Sequence, residues 1–110
     1  ITSVDLNFNC VRFIKKINRE LDLKNTVIRS DAFRFIKSCK NQYNFIFADP
    51  PYNLENISDL PNYIFSNNIL EKNGTLIIEH DKNTDFSESP YFKNVRQYGR
   101  VMFSFFNFIA

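Results

Sequence analysis

The sequence predicts an α/β fold built on a mostly parallel sheet with helices on both faces. Short apolar segments alternate with helical patterns, and strand–helix–strand units imply right-handed crossovers between parallel strands. Residues 45–47 and 76–78 are apolar without alternation, which is typical of strands buried on both faces. The segments 93–98 and 101–108 meet at Gly99-Arg100, which predicts an antiparallel hairpin at one edge.

The individual elements follow from hydrophobic spacing and from capping and breaking residues. They are a strand over 1–4 closed by Asp5, a helix over 10–21, a strand over 26–29, a helix over 32–38, a strand over 43–48, an irregular, mostly helical stretch over 54–69, a strand over 75–79 and the hairpin. Pro61 predicts a break or a fresh helix start. Residues 71–74 predict a turn, and 80–90 predict a polar loop.

Composition predicts one folded domain at most. The chain has 110 residues, and 44% of them are hydrophobic, which is enough for one modest core. No apolar run approaches the ~20 residues of a membrane span, and no signal-peptide pattern opens the chain, so we expect no membrane partner. Cys10 and Cys39 lack metal-like spacing and are expected to be free thiols in a reducing cytoplasm. The single histidine argues against zinc.

Charge is distributed unevenly along the chain. Residues 1–48 carry nine Lys/Arg and four Asp/Glu, whereas residues 49–110 carry five and eight. Ordinary solvated helix faces account for the basic half. A diffuse attraction for nucleic-acid phosphate is the functional alternative, and the charge alone does not decide between them.

The most informative stretch is Asp49-Pro50-Pro51-Tyr52, which directly follows the strand predicted over 43–48. Prolines cannot continue a sheet ladder, so the strand stops there and a stiff loop presents one acid and one aromatic ring. In open α/β sheets, ligands bind at the C-terminal ends of the strands. This arrangement suits chemistry on a flat, amine-bearing base. A plain strand-to-loop turn with Tyr52 packed in the core is the structural alternative.

Acids follow three successive predicted strands: Asp5, Asp31 and Asp49. If the strands are parallel, all three acids lie along one rim of the sheet. Asp5 is either a turn residue or an acceptor for ribose hydroxyls. Asp31 caps its own helix, accepts a hydrogen bond from an adenine amino group, or does both. Glu79 ends the fourth predicted strand on the same rim, which suggests a supporting role.

His80 and the aromatic hairpin have structural interpretations. His80 has no visible partner in the sequence and is expected in the loop after the fourth strand. The hairpin is rich in aromatic rings, for which core packing is favoured over a platform that stacks bases. Its aromatic residues are Tyr98, Phe103, Phe105, Phe106 and Phe108.

Asp49-Pro50-Pro51-Tyr52 resembles the D/N/S-P-P-Y/F motif of methyltransferases that use S-adenosyl-L-methionine (AdoMet) to modify exocyclic or amide nitrogens. The surroundings, 1–5, 29–32, 45–52 and 76–79, resemble the bacterial 16S ribosomal RNA guanine-N2 methyltransferase family. The resemblance runs through nearly all of the chain. It implies a class I, Rossmann-like methyltransferase fold, AdoMet as methyl donor, and ribosomal RNA or the small ribosomal subunit as partner.

The resemblance also implies the site residues. The acceptor amine would be held by the motif, Asp49, Pro50, Pro51 and Tyr52. The cofactor would be held by Asp5, Leu6, Asp31, Ala32 and Asp49. A DNA adenine-N6 methyltransferase, which can share the motif, is the alternative enzyme.

The chain departs from the family pattern in its glycines. Such enzymes have a first strand followed by a Gly-rich loop, but this sequence contains only Gly74 and Gly99. We therefore expect residues 1–110 to be a C-terminal portion of the domain, with weak or no AdoMet binding of its own. In the family's strand order, 3-2-1-4-5-7-6, the first strand would lie between the strands ending at Asp5 and Asp49. Exposed sheet edges would favour a homo-oligomer, or a non-catalytic, self-associating remnant.

Overall fold

A computed structural model describes residues 2–5, 12–13, 15–16, 19–20, 26–29, 32–50 and 57–108. The chain divides into two compact units, Ile1–Ser38 and Cys39–Ala110, and each is described by itself.

The first unit contains a parallel pair of strands. Strand β1 (Thr2–Asp5) pairs with β2 (Thr26–Arg29) so that Asp5 lies opposite Arg29. Helix α1 (Ala32–Ser38) follows β2. Both strands and the helix have the predicted bounds to within one residue, and the parallel pairing is confirmed.

The predicted helix over 10–21 is supported where the structure describes it. Residues 12–13, 15–16 and 19–20 are helical. Lys16 Nζ lies 4.0 Å from Glu20 Oε1, one helical turn away, and both side chains are exposed. Exposed pairs of this kind contribute little to stability. Exposed basic side chains are expected under both interpretations of the basic half.

The second unit is a four-stranded mixed sheet of order β3-β4-β6-β5. Its strands are β3 (Tyr43–Ala48), β4 (Leu70–His80), β5 (Phe92–Tyr98) and β6 (Val101–Asn107). Strands β3 and β4 are parallel, whereas β6 is antiparallel to both β4 and β5. The C-terminal hairpin is confirmed. The sheet of this unit is only partly parallel, because the antiparallel strand β6 lies between β4 and β5.

Within the described residues, the helical stretch between β3 and β4 ends earlier than predicted, at Ser66 rather than at Ile69. A 3₁₀ turn (Ile57–Asp59) leads into α2 (Leu60–Ser66), and Pro61 stands in the first turn of this helix, where its missing N–H costs nothing. The fresh helix start predicted at Pro61 is therefore confirmed. The helix ends at Ser66, and Asn68 adopts a left-handed conformation with φ 57°.

The turn predicted over 71–74 is wrong, because these residues lie inside β4. The pairing of β3 with β4 shifts between Tyr43 and Phe45, so that β4 bulges there. Asn73 has φ 65°, and its N–H donates to the carbonyl of Phe108 at 2.6 Å. Phe108 N–H in turn donates to the Gly74 carbonyl at 3.1 Å. Partners far away in sequence thus keep the backbone of this segment in the sheet.

The core of the second unit lies on one face of its sheet. Leu76, Ile78 and Phe106 on this face have no exposed surface, and Leu60 and Ile64 of α2 are also buried. The opposite face is open at β3, the edge strand.

On that open face, Phe45 and Phe47 are 56% and 50% exposed. The expectation that 45–47 is buried on both faces is therefore wrong. Among the described residues, no helix is both long and apolar enough to span a membrane.

Candidate active site

Asp49 and Pro50 lie where β3 stops. Ala48 pairs with Ile78 of β4 in parallel register, so the next residues, Asp49 and Glu79, follow at the C-terminal edge of both strands. Pro50 is half-buried and Asp49 is exposed. The acid is therefore held by a fixed strand end and remains accessible to a ligand. Pro51 and Tyr52, the other two residues of the motif, lie outside the described residues.

Asp49 and Glu79 are neighbours at the ends of two parallel strands. Partial loss of hydration raises the pKa of Asp49, and the hydrogen bond to Glu79 and the negative charge of Glu79 raise it further. The shared rim predicted for Asp49 and Glu79 is confirmed.

Aromatic side chains of the hairpin lie on the same sheet face as the acid pair. Phe103 of β6 is opposite Glu79, and its ring lies 6.5 Å from that of Phe47 and 5.8 Å from that of Tyr98. Tyr98 is 62% exposed. The prediction that the hairpin aromatics form core holds for Phe106, which is buried, but is wrong for Tyr98.

The predicted cofactor-binding residues belong mostly to the first unit. Asp5 is the last residue of β1, and Ala32 opens α1 three residues after β2 ends. The backbone thus places both at the C-terminal side of a parallel strand pair, where open α/β sheets bind ligands. Leu6 and Asp31 lie outside the described residues. The common rim of Asp5, Asp31 and Asp49 stays a prediction.

The loop position predicted for His80 is wrong. His80 is the last residue of β4 and only 1% exposed. Its Nδ1 lies 2.8 Å from the carbonyl oxygen of Asp81, and its Nε2 lies 2.7 Å from Ser104 Oγ. The ring packs edge-on against Phe86, with centroids 4.9 Å apart.

Sequence reasoning missed this His80–Ser104 pair. The available signal was the alternation of Leu76, Ile78 and His80, which places the histidine on the buried face.

The part of the chain that the structure describes contains no cluster of potential metal ligands. No group of three or more His, Cys, Asp or Glu residues lies close enough there to hold an ion. Cys39 is a free, half-buried thiol just after α1, and Cys10 lies outside the described residues.

Solved structures share the architecture of this chain. A methyltransferase from Geobacter sulfurreducens matches with a TM-score of 0.74 and 15% identity, over 99% of this chain and 58% of its own. A conserved hypothetical protein from Streptococcus pyogenes matches with a TM-score of 0.83 and 20% identity, over 96% of this chain and 69% of its own. At such identities the likeness shows the fold, which is the α/β fold of methyltransferases.

The family follows from the sequence. The model of the family described as Conserved hypothetical protein 95 matches residues 1–107, and the chain belongs to this family. Ribosomal RNA small subunit methyltransferase D of Buchnera aphidicola (subsp. Baizongia pistaciae) is 28% identical over 81 residues, which are 73% of this chain and 41% of that protein. The resemblance to ribosomal RNA methyltransferases is confirmed, and so is AdoMet as the family's methyl donor. The chain spans half or less of the length of its curated relatives.

Proposed function

We propose that this chain carries the acceptor side of an AdoMet-dependent methyltransferase that acts on the exocyclic N2 amine of a guanine in small-subunit ribosomal RNA. The observation that carries the proposal is the position of Asp49-Pro50 at the end of β3, beside Glu79. An exposed acid on a fixed strand end is suited to orient an amine.

The proposed chemistry begins with the target amine, whose lone pair is delocalised into the base. The Asp49 carboxyl group and the Pro50 carbonyl would accept hydrogen bonds from the amine hydrogens and turn the lone pair toward the methyl group. The negative charge at Asp49 would then stabilise the positive charge that develops on nitrogen. Tyr52 is proposed to stack on the base, a contact worth roughly 1–3 kcal/mol. A base inside a duplex cannot reach such a pocket, so an unpaired or flipped-out guanine is expected.

The cofactor proposal rests on the chemistry of the residues at the strand ends. Bound AdoMet supplies an electrophilic methyl group on a sulfonium. Asp5, at the end of β1, offers a carboxylate suited to ribose hydroxyls, and Ala32 opens the helix that follows β2. A strand end with an acid and a following helix start fits a nucleoside. We propose Leu6 and Asp31 as further contacts, with Asp31 accepting from the adenine amino group.

The test is Asp49→Ala in the protein that carries this chain, with Asp85→Ala as the matched control. Asp85 is also an exposed acid, but its carboxylate is bonded to the N–H of Ser87 in a loop. Transfer of labelled methyl groups to small ribosomal subunits should fall about 100-fold in Asp49→Ala, by analogy with removal of one stabilising group from an oxyanion hole. Asp85→Ala should keep full activity. Equal activity of the two variants would remove Asp49 from the mechanism.

The same assay distinguishes the proposed substrate from the alternative. Small ribosomal subunits, DNA containing unmethylated adenine, and a no-substrate blank are compared with the same enzyme preparation. The product nucleoside is then identified by mass, so that N2-methylguanine and N6-methyladenine are separated. Incorporation into DNA alone would overturn the RNA assignment and favour the adenine-N6 alternative.

A further inference from the structure

The turn between β5 and β6 lies at the same rim of the sheet as Asp49. Met102 of β6 pairs with His80, the last residue of β4, and these two strands run antiparallel. Residues 98–101, which precede Met102, therefore lie beyond the C-terminal end of β4. Asp49 follows the C-terminal end of β3, which is parallel to β4. One rim of the sheet thus carries both the proposed acceptor site and this turn.

The side chains at this turn are an aromatic ring and two cations. Tyr98 is 62% exposed, and Arg96 and Arg100 are exposed as well. Building on the proposed function, we propose that these three residues bind the unpaired RNA strand beside the target guanine. Tyr98 would stack on a base of that strand, and the two arginines would contact its phosphates.

A series of three rings connects Tyr98 with the acceptor site. The Tyr98 ring lies 5.8 Å from the Phe103 ring, which lies 6.5 Å from the ring of Phe47. Phe47 stands two residues before Asp49 and therefore faces the same side of the sheet. A tyrosine that packs against one ring and still exposes most of its surface offers a flat platform to a base, and bases of any kind stack on such rings. The exposure of Tyr98 favours this interpretation over core packing.

The charges along the rim are separated. Asp49 and Glu79 follow each other across the ends of β3 and β4, where a phosphate would be repelled. Arg96 lies on β5, and Arg100 in the turn after it. In the order β3-β4-β6-β5, three strand spacings place β5 about 14 Å from β3. A stacked strand advances about 3.4 Å per nucleotide, so the arginines are within about four nucleotides of a guanine held at the acids.

Both arginines are available to a phosphate. The Arg96 guanidinium lies 5.2 Å from the centroid of the Phe105 ring, a contact that leaves its N–H groups free to donate to oxygen. Among the described residues, neither Arg96 nor Arg100 forms an ion pair with an acid. The turn between them is held by a hydrogen bond in which Gln97 Nε2 donates to the carbonyl of Gly99 at 2.9 Å. The two cations are therefore presented on a defined backbone.

The first test measures RNA binding and requires no methyl transfer. A short, fluorescein-labelled, single-stranded RNA with one guanine is titrated with the protein that carries this chain, without AdoMet, and its anisotropy is followed. Tyr98→Leu keeps an apolar side chain against Phe103 but removes the flat ring, so the Kd should rise between about 5-fold and about 100-fold. Tyr98→Phe keeps the ring and should bind as the unaltered protein does. If Tyr98→Leu impairs folding, Tyr98→Thr, which suits a strand, is measured instead.

The salt dependence of the Kd identifies the phosphate contacts. On a single strand, each neutralised phosphate contributes about 0.7 to the slope of log Kd against log salt concentration. The double variant Arg96→Gln/Arg100→Gln should therefore lower this slope by about 1.4, from two lost contacts. Tyr98→Leu should leave the slope unchanged. Lys72→Gln is the matched control, because it removes an exposed cation near the opposite end of β4, and it should also leave the slope unchanged.

Three results of these titrations would overturn the proposed RNA contact. They are no binding of the RNA by the unaltered protein, equal binding by Tyr98→Leu and Tyr98→Phe, and a salt slope of the arginine variant equal to that of Lys72→Gln. Tighter binding of the same sequence as single-stranded DNA, or as an RNA duplex whose bases are stacked inside, would overturn the assignment of unpaired RNA.

A kinetic test separates this contact from the proposed function. In methyl transfer to small ribosomal subunits, Tyr98→Leu should raise the KM for the subunits at unchanged kcat, since a contact made equally before and during the reaction affects binding alone. A lowered kcat at unchanged KM would overturn the binding role. Full methyl transfer by Asp49→Ala would instead overturn the proposed function of Asp49, and the titrations of the Tyr98 variants would still stand.

Discussion

Replacing Ser104 by alanine should destabilise the second unit through a single hydrogen bond. His80 is 1% exposed, and both of its ring nitrogens have partners. The carbonyl of Asp81 can only accept, so Nδ1 carries the hydrogen and, with the ring neutral, the Ser104 hydroxyl donates to Nε2. Alanine at position 104 removes that donor from a site where water has little access.

The magnitude follows from the burial of the nitrogen that loses its partner. A buried polar atom left without a hydrogen bond costs about 1–3 kcal/mol, which is larger than the net contribution of an ordinary hydrogen bond. Ser38→Ala is the matched control, because the exposed Ser38 hydroxyl bonds only to carbonyls one turn back in α1. That change should stay within about 0.5 kcal/mol. The double variant His80→Phe/Ser104→Ala replaces both polar partners, so it should recover much of the free energy of unfolding that Ser104→Ala loses.

Urea denaturation of the 110-residue chain, followed by circular dichroism, measures the free energy of unfolding of each of these three variants. The linear extrapolation requires two-state unfolding, which is checked by whether the urea transitions followed by circular dichroism and by tyrosine fluorescence coincide. A loss of 1 kcal/mol should also lower the melting temperature by about 4 °C. The reasoning is refuted if Ser104→Ala costs no more than Ser38→Ala. It is also refuted if the double variant is less stable than Ser104→Ala, because replacing the second polar partner would then have recovered no stability.

Two further predictions concern the β4 bulge and the open sheet face. A Cβ at Gly74 would lie 2.7 Å from the backbone oxygen of Glu71, so Gly74→Ala should lower the free energy of unfolding by about 1–3 kcal/mol in the same assay. A Cβ at Gly99 would contact no atom, so Gly99→Ala adds only the strain of a side chain at φ +62°, which should cost about 1 kcal/mol. Equal costs for the two variants would contradict the argument from the close contact at Gly74. Self-association through the β3 edge stays a prediction: Phe47→Lys should lower the average mass in sedimentation equilibrium, whereas Val95→Lys on β5 should not. A monomer at every concentration would contradict it.

Local signals predicted most elements of this fold. Prolines predicted the end of β3 and the start of α2, and Gly99 predicted the turn between β5 and β6. Capping residues and hydrophobic spacing predicted β1, β2 and α1. Each of these features depends on residues close together in sequence, whose backbone preferences act regardless of the rest of the chain. The motif that identified the family is likewise local, and family membership is confirmed.

The errors arose where distant residues decide the outcome. The segment 71–74 looks like a turn, but hydrogen bonds between Asn73, Gly74 and Phe108 keep it in β4. His80 looks like a loop residue, but Ser104, supplied by β6, gives it a buried partner. A hydrophobic pattern cannot show which strand will pair alongside, because that depends on the topology of the whole sheet.

The acid pair combines both kinds of information. Asp49 was predicted from its own neighbours, since the following prolines force the strand to stop and leave the acid at its end. Glu79 acquires its importance only from the parallel register of β3 and β4, which brings it beside Asp49, where its negative charge helps to raise the pKa of Asp49. The strand register therefore adds to the Asp49 motif a second acid, whose place beside Asp49 depends on the pairing of β3 with β4.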